Sequence, residues 1–288
     1  MLYVAIVFIS NHVNIKIFPK VAQLYNDLYL CIMPTFLHND IVFGPVKSRR
    51  LGNSLGMNIL PHRKICSFNC IYCECGFNEK KSSDKFPTRA EIKNALEHRL
   101  QEMQLQNEMP DTITFSGNGE PTLHPEFEGI IDDTIALRNR YFPQVKITVL
   151  SNATRIDKGS VFRALNKVDN NILKLDAATN SLVGLIDQPV SARFNIRSLV
   201  ENLKKFKGNL IIQTIFLKGY NQGKSVDNTT EENVSQWLQL LKEIQPKQVM
   251  IYSLARETPS KTIEKVSYEE LEKIAEKVKE LGIPVEAY

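Results

Sequence analysis

The sequence predicts an α/β protein in which a parallel sheet is covered by helices. From about residue 55 onward, short apolar runs rich in β-branched residues alternate with helical patterns. Strands that are almost continuously apolar are typical of a parallel sheet buried on both faces. Six strand–helix units and one further strand are fewer than the eight units of a closed barrel. We therefore expect an open, partial barrel or a doubly wound sheet, with the chemistry at the carboxyl ends of the strands.

The predicted strands share a short apolar core and end at polar or glycine-containing segments. They are residues 55–60, 112–115, 145–150, 172–177, 210–217, 249–254 and 283–287.

The predicted helices show apolar residues at spacings of three and four, which keep one face apolar. The first stripe is Ile92, Leu96, Leu100 and Met103; the second is Ile196, Leu199, Val200, Leu203 and Phe206; the third is Val234, Trp237, Leu238, Leu241 and Ile244; the fourth is Leu271, Ile274, Val278 and Leu281. Three capping boxes mark helix starts. They pair Thr88 with Glu91, Thr229 with Glu232, and Ser267 with Glu270.

Composition excludes several classes of protein. Of the 288 residues, 43% are hydrophobic and 24% are charged, which excludes a disordered or low-complexity chain. The net charge of +4 is too small to indicate nucleic acid or a membrane surface as the partner. Five cysteines, four of them between Cys66 and Cys75, argue against a disulfide framework and favour metal or redox chemistry in a reducing cytoplasm.

The first 33 residues fit poorly with the organised sequence that follows. The apolar run at residues 1–9 is too short to span a bilayer and lacks the flanks of a secretory signal. We expect residues 1–33 to be a leader of uncertain status, with Met33 as an alternative start, and residues 34–288 to form the barrel domain.

The spacing of the cysteine cluster is its most informative feature. Cys66, Cys70 and Cys73 form the pattern C-x3-C-x2-C soon after the first predicted strand. Three thiolates on one short loop can hold three irons of a [4Fe–4S] cluster and leave the fourth iron open, whereas ferredoxins use four cysteines. The alternative is a structural zinc site that also uses Cys75. In the cluster interpretation Cys75 and Cys31 have no assigned role.

Basic residues surround this loop. From residue 41 to residue 73 there is no Asp or Glu, and the charged residues are Lys47, Arg49, Arg50, Arg63 and Lys64. Such a charge favours an anionic guest. The alternatives are a solvated basic loop or, combined with the zinc interpretation, an RNA-binding surface.

Polar motifs follow the other predicted strands. Gly117-Asn118-Gly119-Glu120 comes after the second strand, and its glycines would let the backbone approach a ligand closely. Polar positions also occur near the ends of the later strands. Their side chains are Ser151, Asn152, Asp176, Gln213 and Tyr252.

Together these motifs resemble the radical S-adenosylmethionine (radical SAM) superfamily. Tyr72 precedes the third cysteine, as an aromatic residue often does there, and Asn118 stands where the superfamily has the first glycine of a Gly-Gly-Glu motif. Residues 41–61 and the SGNGEPT sequence of residues 116–122 resemble radical SAM proteins related to the 4-demethylwyosine synthase group.

The resemblance implies a partial (β/α)6 barrel with outer helices. It also implies a [4Fe–4S] cluster held by Cys66, Cys70 and Cys73, and S-adenosylmethionine bound at the open iron. The residues of the Gly117–Glu120 motif would bind the amino group of the cofactor. Ser151, Asn152 and Asp176 would contact its ribose and methionine portions, and the backbone around Tyr252 and Ser253 its adenine edge. Tyr72 and Gln213 are further candidate cofactor-binding residues.

The function that the resemblance implies is reductive cleavage of S-adenosylmethionine to a 5′-deoxyadenosyl radical, which abstracts hydrogen from a substrate. An external electron donor such as flavodoxin or ferredoxin is implied, with a tRNA base or another macromolecule as a candidate substrate and no membrane partner. A cluster protein that acts as an activase or an electron carrier is the second alternative.

Overall fold

Parallel strands form the centre of the fold. The computed structural model of the chain describes residues 37–60, 63–78, 85–256 and 258–288. The strands are β1 Val42–Ser48, β2 Gly52–Met57, β3 Thr112–Phe115, β4 Lys146–Ser151, β5 Asn170–Lys174, β6 Ile211–Ile215, β7 Leu217–Asn221, β8 Lys224–Ser225, β9 Gln248–Tyr252, β10 Ile263–Lys265 and β11 Val285–Ala287.

The larger sheet has the strand order β1-β2-β3-β4-β5-β6-β9-β11. Every neighbouring pair in it is parallel except β1 and β2, which form an antiparallel hairpin at one edge. Strands β10, β7 and β8 form a small antiparallel sheet of their own. The carboxyl ends of the parallel strands therefore lie along one edge of the larger sheet.

Helices connect the parallel strands and pack beside one another. They are α1 Arg89–Leu105, α2 Phe127–Tyr141, α3 Gly159–Lys167, α4 Asn180–Ile186, α5 Ile196–Lys204, α6 Glu231–Ile244 and α7 Tyr268–Lys279. Helix α1 lies against α2, and α2 lies against α3; α5 lies against α6, and α6 against α7. The helices thus form the crossover connections that parallel strands require.

The two faces of the sheet carry different apolar clusters. Within β5, Leu173 packs into the large core shared with the helices, whereas its neighbour Ile172 packs into a small inner cluster with Ile211 and Met250. Leu51, at the turn of the β1–β2 hairpin, joins this inner cluster. Contact between the first hairpin and strands β5, β6 and β9 requires a curved sheet, as in a partial barrel.

The predicted strands and the four predicted helical stripes are present. One capping assignment was wrong: α6 begins after Thr230, whose side chain accepts from the amide of Asn233, and not at Thr229 with Glu232. Thr229 instead bonds the side chain of Asp227. The other two are right: the box of Thr88 with Glu91 is complete, and Ser267 accepts from the amide of Glu270.

Two features of the structure did not emerge from the sequence pattern. One is the β1–β2 hairpin, and the other is the small β10-β7-β8 sheet. The predicted run 210–217 divides at Phe216, between β6 and β7.

The division between a leader, residues 1–33, and the barrel domain stays a prediction, because residues 1–36 lie outside the described part of the chain. The same holds for the alternative start at Met33 and for Cys31. In the described ranges, no helix is long and apolar enough to cross a membrane.

Helix α1 offers a test of the helix–sheet core. Leu100 is 0% exposed, whereas Leu105 on the same helix is 86% exposed. We expect Leu100→Ala to lower the free energy of unfolding by about 2–5 kcal/mol, because it leaves a cavity in the core. Leu105→Ala should change it by less than about 0.5 kcal/mol. Urea denaturation of both variants measures this difference, and similar values for the two would contradict the packing described.

Candidate functional site

The cysteine loop follows β2 and is held along its length by backbone hydrogen bonds. On one side it pairs with the segment that follows α4. Asn69 N donates to Asp187 O at 2.9 Å, and Ile71 N donates to Ile186 O at 2.9 Å. Val190 N donates back to the carbonyl of residue 67 at 2.9 Å. The loop is therefore fixed by main-chain contacts that do not depend on a bound group.

On its other side the loop pairs with the glycine motif. Ile65 N donates to Asn118 O at 2.9 Å, and Glu120 N donates to Ile65 O at 3.0 Å. Gly119 has φ of +140°, and a Cβ atom there would lie 1.9 Å from Ile65 O. The close approach that this glycine allows is thus to the cysteine loop, a partner that the sequence analysis did not anticipate.

Asn118 also has a structural role. Its side chain is completely buried, accepts from the amide of His38 at 2.8 Å and donates to the carbonyl of the same residue at 2.8 Å. A Cβ atom on Gly117 would lie 2.5 Å from Oδ1 of Asn58. An asparagine here, where a glycine is usual in the motif, joins the segment before β1 to the site.

Glu120 accepts hydrogen bonds from the residues at the end of β4. One carboxylate oxygen accepts from the hydroxyl of Ser151 at 2.8 Å and from the hydroxyl of Thr122 at 2.5 Å. The other accepts from the amide of Asn152 at 2.6 Å. Burial raises the pKa of Glu120, although these hydrogen bonds oppose the rise. The three predicted residues Glu120, Ser151 and Asn152 therefore form one hydrogen-bonded group.

Asn152 connects this group to the cysteines. Its side-chain nitrogen lies 3.4 Å from Sγ of Cys66 and 2.9 Å from the hydroxyl of Ser67. Glu120 is close enough to Cys66 to raise the pKa of the thiol, after burial, which is the larger cause. The predicted metal ligand Cys66 thus lies next to the predicted cofactor residues Asn152 and Glu120.

The three thiols lie in a shared, mostly buried environment. Burial raises the pKa of Cys66 to about 11, and it raises that of Cys70 well above the usual range. A hydrogen bond from Cys75 lowers the pKa of Cys73 to about 5. Each of the three sulfurs feels the charge of another, so they are neighbours in space. Thiolates in this position need a cationic partner for their negative charge.

Cys75 and Lys64 each contact a backbone carbonyl beside the three cysteines. Sγ of Cys75 lies 3.4 Å from Gly117 O in the glycine motif, and Lys64 donates to Gly76 O at 2.5 Å. Lys64 is only 3% exposed, so one of the basic residues that the sequence placed near the loop is buried beside it. The alternative of a purely solvated basic loop is therefore wrong for Lys64.

The described residues contain no group of three or more His, Cys, Asp or Glu side chains arranged around a single metal ion. Around one zinc, thiolates bound at about 2.3 Å converge on a single point. In a [4Fe–4S] cluster each cysteine binds a different iron, so the thiolates stay further apart. The absence of such a group among the described residues therefore argues against the zinc alternative. Three thiols on one loop that is fixed by main-chain hydrogen bonds fit the iron–sulfur alternative.

A buried charged network lies next to Cys70. The hydroxyl of Tyr72 donates to Asp176, and Lys174 contacts both, with its Nζ 3.1 Å from the Asp176 carboxylate. Asp187 accepts from the thiol of Cys70 at 3.2 Å and lies 3.9 Å from Nζ of Lys174. Two carboxylates, one ammonium and one phenol thus surround a single cysteine.

The charge on Lys174 is held by its neighbours. Burial alone would lower the pKa of Lys174, but Asp176, Cys70 and Asp187 raise it well above the usual value. Burial and the charge of Asp176 raise the pKa of Asp187 well above its usual value. Lys174 therefore acts as a fixed cation that stabilises the network.

Lys174 and Asp187 were not predicted as site residues. A lysine within the apolar run of residues 172–177 was a usable signal, because a charge inside a buried strand needs a partner. No local signal identified Asp187, which reaches the site only because α4 ends beside the cysteine loop.

Gln213 and Tyr252 occupy the inner strands as predicted from the sequence pattern. Gln213 pairs in register with Lys174 on β5 and with Met250 on β9. Tyr252 ends β9, and the guanidinium of Arg50 lies 4.4 Å from the centre of its ring. Tyr252 is close enough to Lys174 to feel its charge. Both positions are therefore adjacent to the Tyr72 network.

A comparison with known protein families decides the identity of the fold. Residues 60–224, which include all three cysteines and the Glu120 motif, match the family model described as the radical SAM superfamily. The chain belongs to the radical SAM superfamily. It is therefore an enzyme of a group whose members use a [4Fe–4S] cluster and S-adenosylmethionine.

Several sequence relatives are similar over much of the chain. "UPF0026 protein slr1464" of Synechocystis is 31% identical over 76% of this chain and 77% of its own length. A UPF0026 protein of Helicobacter pylori is 32% identical over 63% of this chain and 58% of its own length. A Brachyspira hyodysenteriae protein named "GTPase Obg" is 31% identical over 81% of this chain. The chain spans 32% of that protein, whose whole activity is therefore not assigned to it.

Solved structures confirm the radical SAM fold. A radical SAM methyltransferase from Sphaerobacter thermophilus superposes with a TM-score of 0.60 at 14% identity, over 82% of this chain and 66% of that one. TYW1 with a lysine–pyruvate adduct bound superposes with a TM-score of 0.54 at 16% identity, over 92% and 90% of the two chains. The likeness to the 4-demethylwyosine synthase group thus extends to the whole fold.

A third structure, Streptococcus suis SuiB bound to S-adenosylmethionine, superposes with a TM-score of 0.56 at 15% identity and covers 78% of this chain and 48% of that one. The predicted partial barrel with a parallel sheet and outer helices is therefore confirmed.

The contact between Gly119 and Ile65 can be tested with two glycine substitutions. We expect Gly119→Ala to lower the free energy of unfolding by at least about 2 kcal/mol, because its Cβ would collide with a backbone oxygen at a positive φ. Gly184→Ala is the control. Gly184 is exposed within α4 with nothing in contact range, so the change should be neutral or stabilise the protein by up to about 1 kcal/mol. Equal unfolding midpoints in urea would contradict the close approach.

The buried network predicts a strong effect of removing its cation. We expect Lys174→Met to destabilise the protein by about 3–5 kcal/mol, because it leaves two buried carboxylates without their ammonium partner. Lys167→Met removes a more exposed lysine that also pairs with two carboxylates, and should cost less than about 1 kcal/mol. Chemical denaturation near neutral pH distinguishes the two. A small loss in the Lys174 variant would show that the network does not need this charge.

Proposed function

We propose that this chain binds a [4Fe–4S] cluster through Cys66, Cys70 and Cys73 and uses it with S-adenosylmethionine to carry out radical chemistry on a substrate. The observation that carries the proposal is that Asn152 contacts both Cys66 and Glu120. Asn152 Nδ2 lies 3.4 Å from the sulfur while the amide of the same residue donates to the carboxylate. A ligand of the cluster and the candidate cofactor residues are thus held in one rigid group.

Held by Cys66, Cys70 and Cys73, the cluster would supply the electron for reductive cleavage of S-adenosylmethionine, and so the radical chemistry that removes hydrogen from the substrate. The chain contributes position, charge and exclusion of water. Cys70 is buried and Cys66 is partly buried, and the loop that carries them is fixed on two sides by main-chain pairs. A fixed loop holds its ligands in place before and after the chemistry.

Glu120, Ser151 and Asn152 would hold the methionine part of the cofactor. The Glu120 carboxylate accepts four hydrogen bonds from the protein, so it meets an ammonium group as a rigid, preorganised acceptor. The serine and threonine hydroxyls that bond it can rotate to admit a further donor. The backbone of Gly117, Asn118 and Gly119 keeps this carboxylate beside the cysteine loop.

Tyr72, Asp176, Gln213 and Tyr252 would line the nucleoside part of the cofactor site. Asp176 is fixed by the amide of Ile215 at 3.0 Å and by Tyr72. Tyr72 comes directly before the third cysteine, so its phenol connects the loop to β5 and β6. This arrangement places polar groups at the carboxyl ends of the inner strands, where barrels of this type bind ligands.

An external reductant such as flavodoxin or ferredoxin would deliver the electron, in the cytoplasm, where cysteines stay reduced. A tRNA base or another macromolecule is the candidate substrate. The RNA-binding zinc module and the activase or electron carrier are the alternatives, and the test below separates them from the enzyme.

The cysteine assignment can be tested with two serine variants. Anaerobically reconstituted wild-type protein should contain about four irons per chain. It should also release 5′-deoxyadenosine when dithionite and S-adenosylmethionine are added. Cys66→Ser should lose both properties, because it removes one ligand of the cluster. Iron analysis and chromatography of the nucleoside measure the two effects.

Cys75→Ser is the matched control, since Cys75 is not a proposed ligand. It should keep the iron and the nucleoside product. Loss of a single bound zinc in both variants would support the zinc module instead. A full cluster without any 5′-deoxyadenosine from the wild-type protein would support the activase or electron carrier.

A further inference from the structure

A cavity of about 260 Å³ opens beside the cysteine loop. It is lined by Tyr72 and Cys73 from the loop and by Ile215 and Tyr252 from the ends of β6 and β9. Three arginines also line it, at positions 49, 50 and 256. The cavity therefore joins the site described above to a cluster of guanidinium groups.

Arg50 enters this cavity from the turn of the β1–β2 hairpin. The turn is fixed by the hydroxyl of Ser48, which accepts from the amides of Arg50 at 3.3 Å and of Leu51 at 3.2 Å. Leu51 is anchored in the inner apolar cluster with Ile172 and Met250. The backbone that carries the arginine is thus held on both sides, and its side chain lies over the ring of Tyr252.

One nitrogen of this guanidinium, Nη1 of Arg50, is buried and has no hydrogen-bond partner among the described residues. A guanidinium has five N–H donors and no acceptor, so it needs acceptors around it when it is buried. Leaving a buried charged donor without an acceptor costs free energy. A buried unpaired group of this kind in a functional cavity indicates a ligand that supplies the acceptor.

The charge of the cavity indicates the chemistry of that acceptor. Arg256 is partly neutralised by Glu74, with 2.6 Å between their nitrogen and oxygen atoms. Arg49 is exposed at the mouth. Among the described lining residues, Glu74 is the acidic one, against three arginines. Such a field attracts an anion, and the planar fork of a guanidinium matches a carboxylate or a phosphate.

We propose that Arg50 binds a carboxylate or phosphate group of the substrate. The inference rests on the proposed function, because it places this group beside the cysteine loop. It deepens that function by naming an anionic substrate. Arg50 also lines a second cavity, of about 540 Å³, near the amino ends of the strands, where the other charged lining residues are Lys146, Asp111 and Glu286. The excess of positive charge is therefore on the side of the cysteine loop, which is where we place the anion.

The test uses inorganic phosphate and malonate as probes of the anion site. Each should raise the thermal midpoint of the wild-type chain in a saturable way, because a ligand that binds the folded state stabilises it. We expect Arg50→Gln to weaken this binding at least about tenfold, as the loss of a charge-assisted hydrogen bond predicts. Arg50→Lys should weaken it less, since it keeps the charge and loses the fork.

Arg193→Gln is the matched control, because Arg193 is exposed and lies outside the cavity. It should bind both probes like the wild-type chain. Anion binding that is equal in the wild-type and Arg50→Gln chains, or that is not saturable in the wild-type chain, would overturn the proposal. If Arg50→Gln fails to fold by circular dichroism, Arg50→Lys decides the question by the same comparison.

A second titration separates the substrate from the cofactor, whose methionine carboxylate is also an anion. S-adenosylmethionine should bind the cluster-loaded wild-type and Arg50→Gln chains with the same affinity. Weakening as large as that for phosphate would assign Arg50 to the cofactor and overturn the proposal. Cluster content and 5′-deoxyadenosine of the wild-type chain are measured separately, so failure of the proposed function is distinguishable from failure of the anion site.

Discussion

The main-chain pairing of the cysteine loop is the constraint on which the rest of the site depends. The loop has little regular structure of its own, and yet it must present three thiols from eight consecutive residues in a fixed arrangement. Ile65 pairs with Gly119 on one side, and Asn69 and Ile71 pair with the end of α4 on the other. Because these bonds join backbone atoms, they specify the position of the loop whatever its side chains are.

The same pairing brings charge into the interior, and the fold compensates for it locally. Asp187 reaches the site because its backbone pairs with the loop, and its carboxylate then lies against Cys70 and close to Asp176. Lys174 is the cation between them. A cysteine that becomes a thiolate adds further negative charge here, so a buried ammonium beside it has a physical reason to be present.

Much of the fold could be predicted from the sequence because its parallel strands are buried on both faces. Runs such as residues 112–115, Thr-Ile-Thr-Phe, are buried throughout, and the spacing of Leu96 and Leu100 fits a helical period. The hairpin at β1–β2 was not predicted, although β2 overlaps the predicted run 55–60, since β1 has no buried residue and no regular alternation of apolar and polar side chains. The shift from Thr229 to Thr230 at the start of α6 shows a similar limit, because two adjacent threonines offer equivalent caps and only the tertiary contacts choose between them.

The site divides in the same way between local and long-range information. The spacing of Cys66, Cys70 and Cys73 and the order of the Gly117–Glu120 motif are local, and the sequence carried them. The partners of these residues are separated by long stretches of chain, such as Asp187 with Cys70, and only the topology brings them together. Arg50 belongs to this second class: it is one basic residue among several in a stretch without acids. Its special position follows from Leu51, whose apolar side chain fixes the hairpin turn inside the barrel and so points its charged neighbour at Tyr252.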